Sequence, residues 1–181
     1  MKKLLLLALL IFPLVANAQK IKIDEIDKME GFRHIRTSEE NIFNSTFKNP
    51  FRLWMEVGAI VDGDVKLLSL DFATDVENSV FEGNKIVFLF ENGEKVELFA
   101  KNSYILDHFY AKIAGVSQEF FGVSPSYTLL YDSPELKKLI ENTITDIRIE
   151  FKDSYRDYPV NKKGYEKIKK CITLVLDRMN K

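Results

Sequence analysis

The chain has 181 residues, of which 26 are Lys or Arg and 27 are Asp or Glu, giving a formal net charge of −1 at neutral pH. No strong basic field exists to hold nucleic acid or an anionic lipid surface, so neither is expected as a partner. Cys171 is the single cysteine, which excludes an internal disulfide framework and leaves stability to packing.

In chain order, Lys2 and Lys3 precede an apolar run from Leu4 to Val15, and Ala16-Asn17-Ala18 follows. A basic start, an apolar segment and a small-x-small site are the layout of a secretory signal peptide. Residues 1–18 are therefore expected to be removed after Ala18, leaving Gln19 as the mature N-terminus. A bilayer span needs about 20 apolar residues, more than this run provides, and Pro13 interrupts it. With no cysteine near the cleavage site to carry a lipid, a secreted or periplasmic protein without a stable membrane anchor is expected.

Residues 19–181 read as one β-rich domain. Asp62-Gly63 separates Leu53 to Val61 from Asp64 to Phe72, and Asn92-Gly93 separates Lys85 to Glu91 from Glu94 to Lys101. Asx-Gly between two such runs predicts a hairpin with a type I′ turn, and Gly83-Asn84 marks another turn. Ile86, Phe88 and Phe90 alternate with Val87 and Leu89, so Lys85 to Glu91 is expected to be a central strand covered on both faces. The stretch from Asn102 to Gly122 fits either period and is assigned to strand and loop. Tyr127, Leu129 and Tyr131 share one side of a further strand, Ser126 to Asp132.

Asp132-Ser133-Pro134-Glu135 has the capping residue, proline and acid that start a helix, here a short one ending near Asn142. Ile147, Ile149 and Phe151 alternate with Asp146, Arg148, Glu150 and Lys152, the period of a strand with one wet face. Tyr165, Ile168, Ile172, Val175, Leu176 and Met179 recur at helical spacing, which predicts a C-terminal amphipathic helix lying across the sheet. The fold class is mainly β, or α+β. A largely antiparallel sandwich or curved sheet is expected, with one short helix and the C-terminal helix packed on it.

Several segments repeat the motifs of a known group. Ile26-Asp27-Lys28-Met29-Glu30-Gly31, Ile35-Arg36-Thr37-Ser38, Phe51-Arg52-Leu53 and Gly83-Asn84-Lys85 are followed by Phe88-Leu89-Phe90-Glu91-Asn92-Gly93-Glu94. With Ile144-Thr145-Asp146-Ile147-Arg148-Ile149, Asp157-Tyr158 and Lys167-Ile168, the chain resembles uncharacterised secreted or periplasmic proteins of Bacteroides-type Gram-negative bacteria. The likeness departs around Tyr104 to Phe121, where a glycine-rich loop is expected. It implies no catalytic residues.

The inventory of reactive side chains offers no catalytic constellation. His34 sits in a short strand, while Asp107 and His108 are adjacent in one and so face opposite ways. Cys171 falls within the amphipathic terminal helix between Lys170 and Ile172, and a thiol buried in apolar surroundings ionises poorly. Neither Asp24-Glu25-Asp27-Glu30 nor Asp62-Gly63-Asp64 continues into a complete calcium loop, and no cofactor or metal is expected. The lysines at 162, 163, 167, 169 and 170 read as a solvated helix face.

Aromatic residues supply the candidate site. Alternation places Phe51, Leu53, Met55 and Val57 toward the core, leaving Trp54 beside Arg52 and Glu56 on the polar side. An exposed tryptophan can stack on a sugar or anchor a partner. Trp54, with Tyr127 and Tyr131, is therefore the expected ligand-binding face. The function expected is a non-enzymatic module that binds an envelope protein or glycan. The alternative is an extracellular hydrolase with a site of scattered carboxylates.

Overall fold

The computed structural model describes residues 19–44, 51–75, 78–113 and 116–181, so the leader expected over residues 1–18 lies outside the described residues. The strands are β1 (Ile21–Ile26), β2 (Arg33–Thr37), β3 (Glu40–Asn44), β4 (Arg52–Asp62), β5 (Val65–Thr74), β6 (Lys85–Phe90) and β7 (Lys95–Phe99), then β8 (Asp107–Ile113), β9 (Val116–Gly122), β10 (Ser126–Leu130), β11 (Ile144–Glu150) and β12 (Tyr155–Pro159). Helix α1 (Pro134–Glu141) precedes β11, and helix α2 (Lys162–Met179) closes the chain. The fold is mainly antiparallel β in two sheets, with a short helix and a C-terminal one, as the sequence predicts.

The larger sheet runs in the order β1-β2-β4-β5-β10, and β3 pairs with β4 as well. This is possible because β4 is long: its Arg52 to Met55 half pairs with β3 and its Gly58 to Val61 half with β2. The smaller sheet runs β12-β11-β6-β7, and β8 with β9 forms a separate hairpin. That hairpin lies in the stretch read as strand and loop.

Both Asx-Gly turns join antiparallel neighbours. Asp62-Gly63 links β4 to β5 within a residue or two of the expected ends. The Asn92-Gly93 connection is longer than the two-residue turn its sequence suggests. There the Asn92 side chain accepts a hydrogen bond from the Glu94 amide at 2.9 Å, which holds a local Asx turn. Gly93 sits at φ 82, a conformation that favours glycine.

The core lies between the sheets. From β4 it receives Leu53, Met55, Val57 and Ala59, and from β5 Leu68, Leu70 and Phe72; Ile86, Phe88, Phe90, Ile147 and Ile149 oppose them. The rings of Phe72 and Phe88 meet with centroids 6.3 Å apart. Each such side chain contributes about 1.5–3 kcal/mol by leaving water. The central position expected of the Lys85 strand is correct, because β6 lies between β11 and β7. Its expected double covering is not: Leu89 is 40% exposed and Val87 half-buried, so only one face reaches the core.

Ser133 caps α1 by accepting from the Leu136 amide, with Pro134 in the first turn and Asn142 closing the end, as predicted. Helix α2 packs on β2, β3 and β4 and buries Ile168, Cys171, Ile172 and Val175. Lys167 donates to the Asn41 carbonyl at 2.8 Å and pairs with Glu40 at 3.3 Å, fixing the helix to β3. At the other end Arg33 donates to the Arg178 carbonyl at 3.1 Å, and Asp24 lies within 3.6 Å of Arg178. Among the described residues no helix is long and apolar enough to cross a membrane, a statement that leaves strands aside.

Candidate functional site

The three aromatic residues expected to form a binding face do not come together. Strand alternation on β4 holds as predicted, but Trp54 is 1% exposed rather than free. It lies opposite Asn41 on one side and Ala73 on the other. A large apolar ring in the middle of a sheet gains more by burial than by exposure, even beside Arg52 and Glu56. Tyr127 points inward from β10, fully buried, with its ring edge-on to Phe72 at 6.2 Å. Its hydroxyl has no hydrogen-bond partner among the described residues, and burial pushes its ionisation far above the ordinary tyrosine range.

Tyr131 lies in the turn just after β10, half-buried. Its hydroxyl accepts from the Asn180 side chain at 2.7 Å, and the Lys66 ammonium stands 4.9 Å from its ring centre. It is a clasp on the end of α2. The three residues thus occupy the outer face, the inner face and the end of one sheet.

The other reactive side chains are dispersed. His34 is exposed on β2 with its ring 4.9 Å from that of Phe32. His108 and Asp107 both belong to β8, in adjacent positions. Cys171 is fully buried, and burial pushes its thiol up to about 11, with Glu40 adding to the effect. Asp27 accepts from the Met29 and Glu30 amides at 2.7 and 2.9 Å, and both bonds hold its carboxyl below the usual range. Its cluster is thus partly a local turn.

Two exposed aromatics do share a face: Tyr155, 60% exposed on β12, and Phe99, 54% exposed on β7. They stand at opposite edges of the smaller sheet, on its outer side. The register places three rows across the four strands: Tyr155–Glu150–Lys85–Phe99, Asp157–Arg148–Val87–Glu97 and Pro159–Asp146–Leu89–Lys95. Directly opposed residues of antiparallel strands lie on one face, so these twelve positions are the surface of the sheet. Most of them line a shallow depression of about 470 Å³.

The charges on this face largely satisfy one another. Arg148 holds Asp157 through two nitrogens at 2.6 and 2.8 Å, which keeps the aspartate below its usual carboxylate range. The same guanidinium stacks on Tyr155, 4.1 Å from the ring centre. Glu97 accepts from Lys95 at 2.7 Å and from Lys85 at 3.4 Å, and these bonds lower its ionisation as well. Lys85 also reaches Glu150 at 3.7 Å. Asp146 makes no hydrogen bond or ion pair with its side chain among the described residues.

A second depression, about 280 Å³, opens on the outer face of the larger sheet beside Arg36, Glu39, Trp54, Glu56 and Asp71. Arg36 bridges Glu56 and Asp71 at 3.1 Å each, and Lys22 reaches Glu56 at 3.3 Å. Ser69 donates to Asp71 at 3.2 Å. Glu39 as a residue is exposed, but desolvation where its carboxyl lies beside the depression, then the negative charge of Glu56, raise its ionisation. Sequence pattern alone does not gather these residues, since they come from four strands and a loop.

The face on the smaller sheet was equally hard to see in advance, because β12 is short and ends in Pro159. The available signal was the opposite charge of Arg148 and Asp157 flanking a turn, the mark of a cross-strand pair. Compared with family models, with curated proteins and with solved structures, the chain finds no match, so no relative assigns any of these residues a role.

Proposed function

We propose that this chain is an exported, non-enzymatic binding module that meets its partner, an envelope protein or glycan, with the outer face of the smaller sheet. The observation that carries the reading is the placement of Tyr155 and Phe99, two exposed aromatics on one side of one sheet with fixed charged groups between them. Large aromatic side chains clear of the core favour contact with a partner, and the Arg148 stack fixes Tyr155 before anything binds. Export is supported by Lys2-Lys3, the Leu4 to Val15 run and Ala16-Asn17-Ala18. Membership of the Bacteroides-type secreted group that the turn motifs resemble is part of the same proposal.

Capture from envelope extract tests the reading. Purified protein is expected to retain a partner that a Tyr155→Ala, Phe99→Ser double variant loses at unchanged melting temperature. Equal capture by both would overturn it.

The second depression favours a different reading, a hydrolase using carboxylates, on one observation: Glu39, with its raised ionisation, lies beside the ionisable Glu56 and Asp71. The Arg36 bridge weighs against it, because both of those carboxylates are engaged by a guanidinium.

A further inference from the structure

We infer that the outer face of the smaller sheet takes an uncharged oligosaccharide lying across the strands from Tyr155 to Phe99. The inference rests on the reading of that face as the binding surface and goes on to name the ligand's chemistry. Three features of the face point to it.

The first is charge. Lys85, Lys95 and Arg148 face Asp146, Glu97, Glu150 and Asp157, and all but Asp146 are already held in ion pairs. An ionic ligand would have to compete with these pairs, whereas a hydroxyl can add to them. A carboxylate has about four acceptor sites, so each can hold its cation and still accept a hydroxyl hydrogen. An uncharged, hydroxyl-rich partner therefore fits without breaking what is there.

The second is the alternation of apolar and polar ground. Tyr155 and Phe99 end one row, while Val87 and Leu89 lie between charges in the other two. Sugar rings have the complementary build, an apolar C–H face with a rim of hydroxyls. Across three inter-strand steps the two aromatics stand about 14 Å apart, a reach for a short oligosaccharide rather than a monosaccharide. Asp146, whose carboxylate makes no bond to a described residue, borders the depression next to Leu89 and can accept from a sugar hydroxyl.

The third separates a sugar from a protein. Interface centres between proteins are depleted in Lys, Glu and Asp. Here the middle strands carry Lys85, Glu150 and Asp146, alongside Arg148, a residue type that such centres do favour. Either partner displaces water from that centre, but a sugar brings hydroxyls on every ring to replace the lost hydrogen bonds.

The test titrates purified protein calorimetrically with neutral oligosaccharides of glucose, mannose, galactose and xylose, four to six units long. Dextran sulfate and polylysine serve as ionic controls. At least one neutral sugar should bind with little dependence on salt. Tyr155→Ala and Asp146→Asn should each weaken it about tenfold, and Tyr155→Phe should retain it. If no neutral sugar binds while the Tyr155→Ala, Phe99→Ser variant still loses its envelope partner, the sugar inference is wrong and the face stands. If the variant also keeps that partner, both fall. Salt-sensitive binding to an ionic control alone identifies a charged ligand and overturns the inference.

Discussion

Thr74 and Tyr158 meet hydroxyl to hydroxyl in the core, one from β5 of the larger sheet and the other from β12 of the smaller. Both are fully buried, so this is a polar link between two sheets whose facing side chains are mainly apolar. Removing one partner leaves the other without its bond. Tyr158→Phe is expected to cost about 1–3 kcal/mol, and Thr74→Val a similar amount. The double variant should lose less than the sum, because with both replaced neither hydroxyl of the pair is left stranded. Urea unfolding at constant m-value measures all three, and strict additivity would contradict the link.

At the start of α2, Gly164 stands against β3, where an added Cβ would lie 2.6 Å from the Ile42 carbonyl oxygen. Alanine ordinarily gains about 1 kcal/mol over glycine inside a helix. Here the helix would have to lift off the strand, losing the Lys167 to Asn41 bond. Gly164→Ala should therefore destabilise by about 1–3 kcal/mol. A stabilised variant in thermal unfolding would refute the close contact.

Cys171 should be inert in the folded protein. With its ionisation pushed up to about 11 by burial, about one thiol in ten thousand is ionised at pH 7, and solvent does not reach it. Labelling by a thiol reagent is expected to follow unfolding, rising steeply at the urea midpoint. Rapid labelling in buffer would contradict the packing of α2.

The carboxylates give stability two opposite dependences on pH. Asp24 and Asp157 are lowered by their hydrogen bonds to Arg33 and Arg148, so their contribution is present above the ordinary aspartate value. It is lost as pH falls through their folded-state values. Glu39 is raised, so its ionised form disfavours the fold at neutral pH and that penalty vanishes on acidification. Glu39→Gln should raise the melting temperature slightly at pH 7 and not at pH 3. A variant that melts lower than the parent at pH 7 would show that Glu39 is held by attraction instead.

The two Asx-Gly hairpins, α1, β11 and α2 were legible because each carries its own local signal: Asx-Gly, the Ser133-Pro134 cap, strict alternation, and apolar residues at helical spacing. What depends on a partner was not. The pattern of Lys85 to Glu91 shows apolar residues on both faces, yet only tertiary arrangement decides that Leu89 faces solvent. Trp54 shows the converse, since its polar neighbours suggested exposure and the sheet buries it. β12 escaped notice because five residues ending in proline have little period of their own, and with it went Tyr155 and the face it completes.

On β6, β7, β11 and β12 the inward positions build the core and the intervening ones form the outer surface, so the two jobs fall to different letters of the same strands. Tyr155, Asp146, Val87 and Glu97 can thus be exchanged while Phe88, Ile147 and Tyr158 stay fixed. The smaller sheet is in this respect a display scaffold, whose twelve outward sites can be randomised as a library to select new specificities on an unchanged frame.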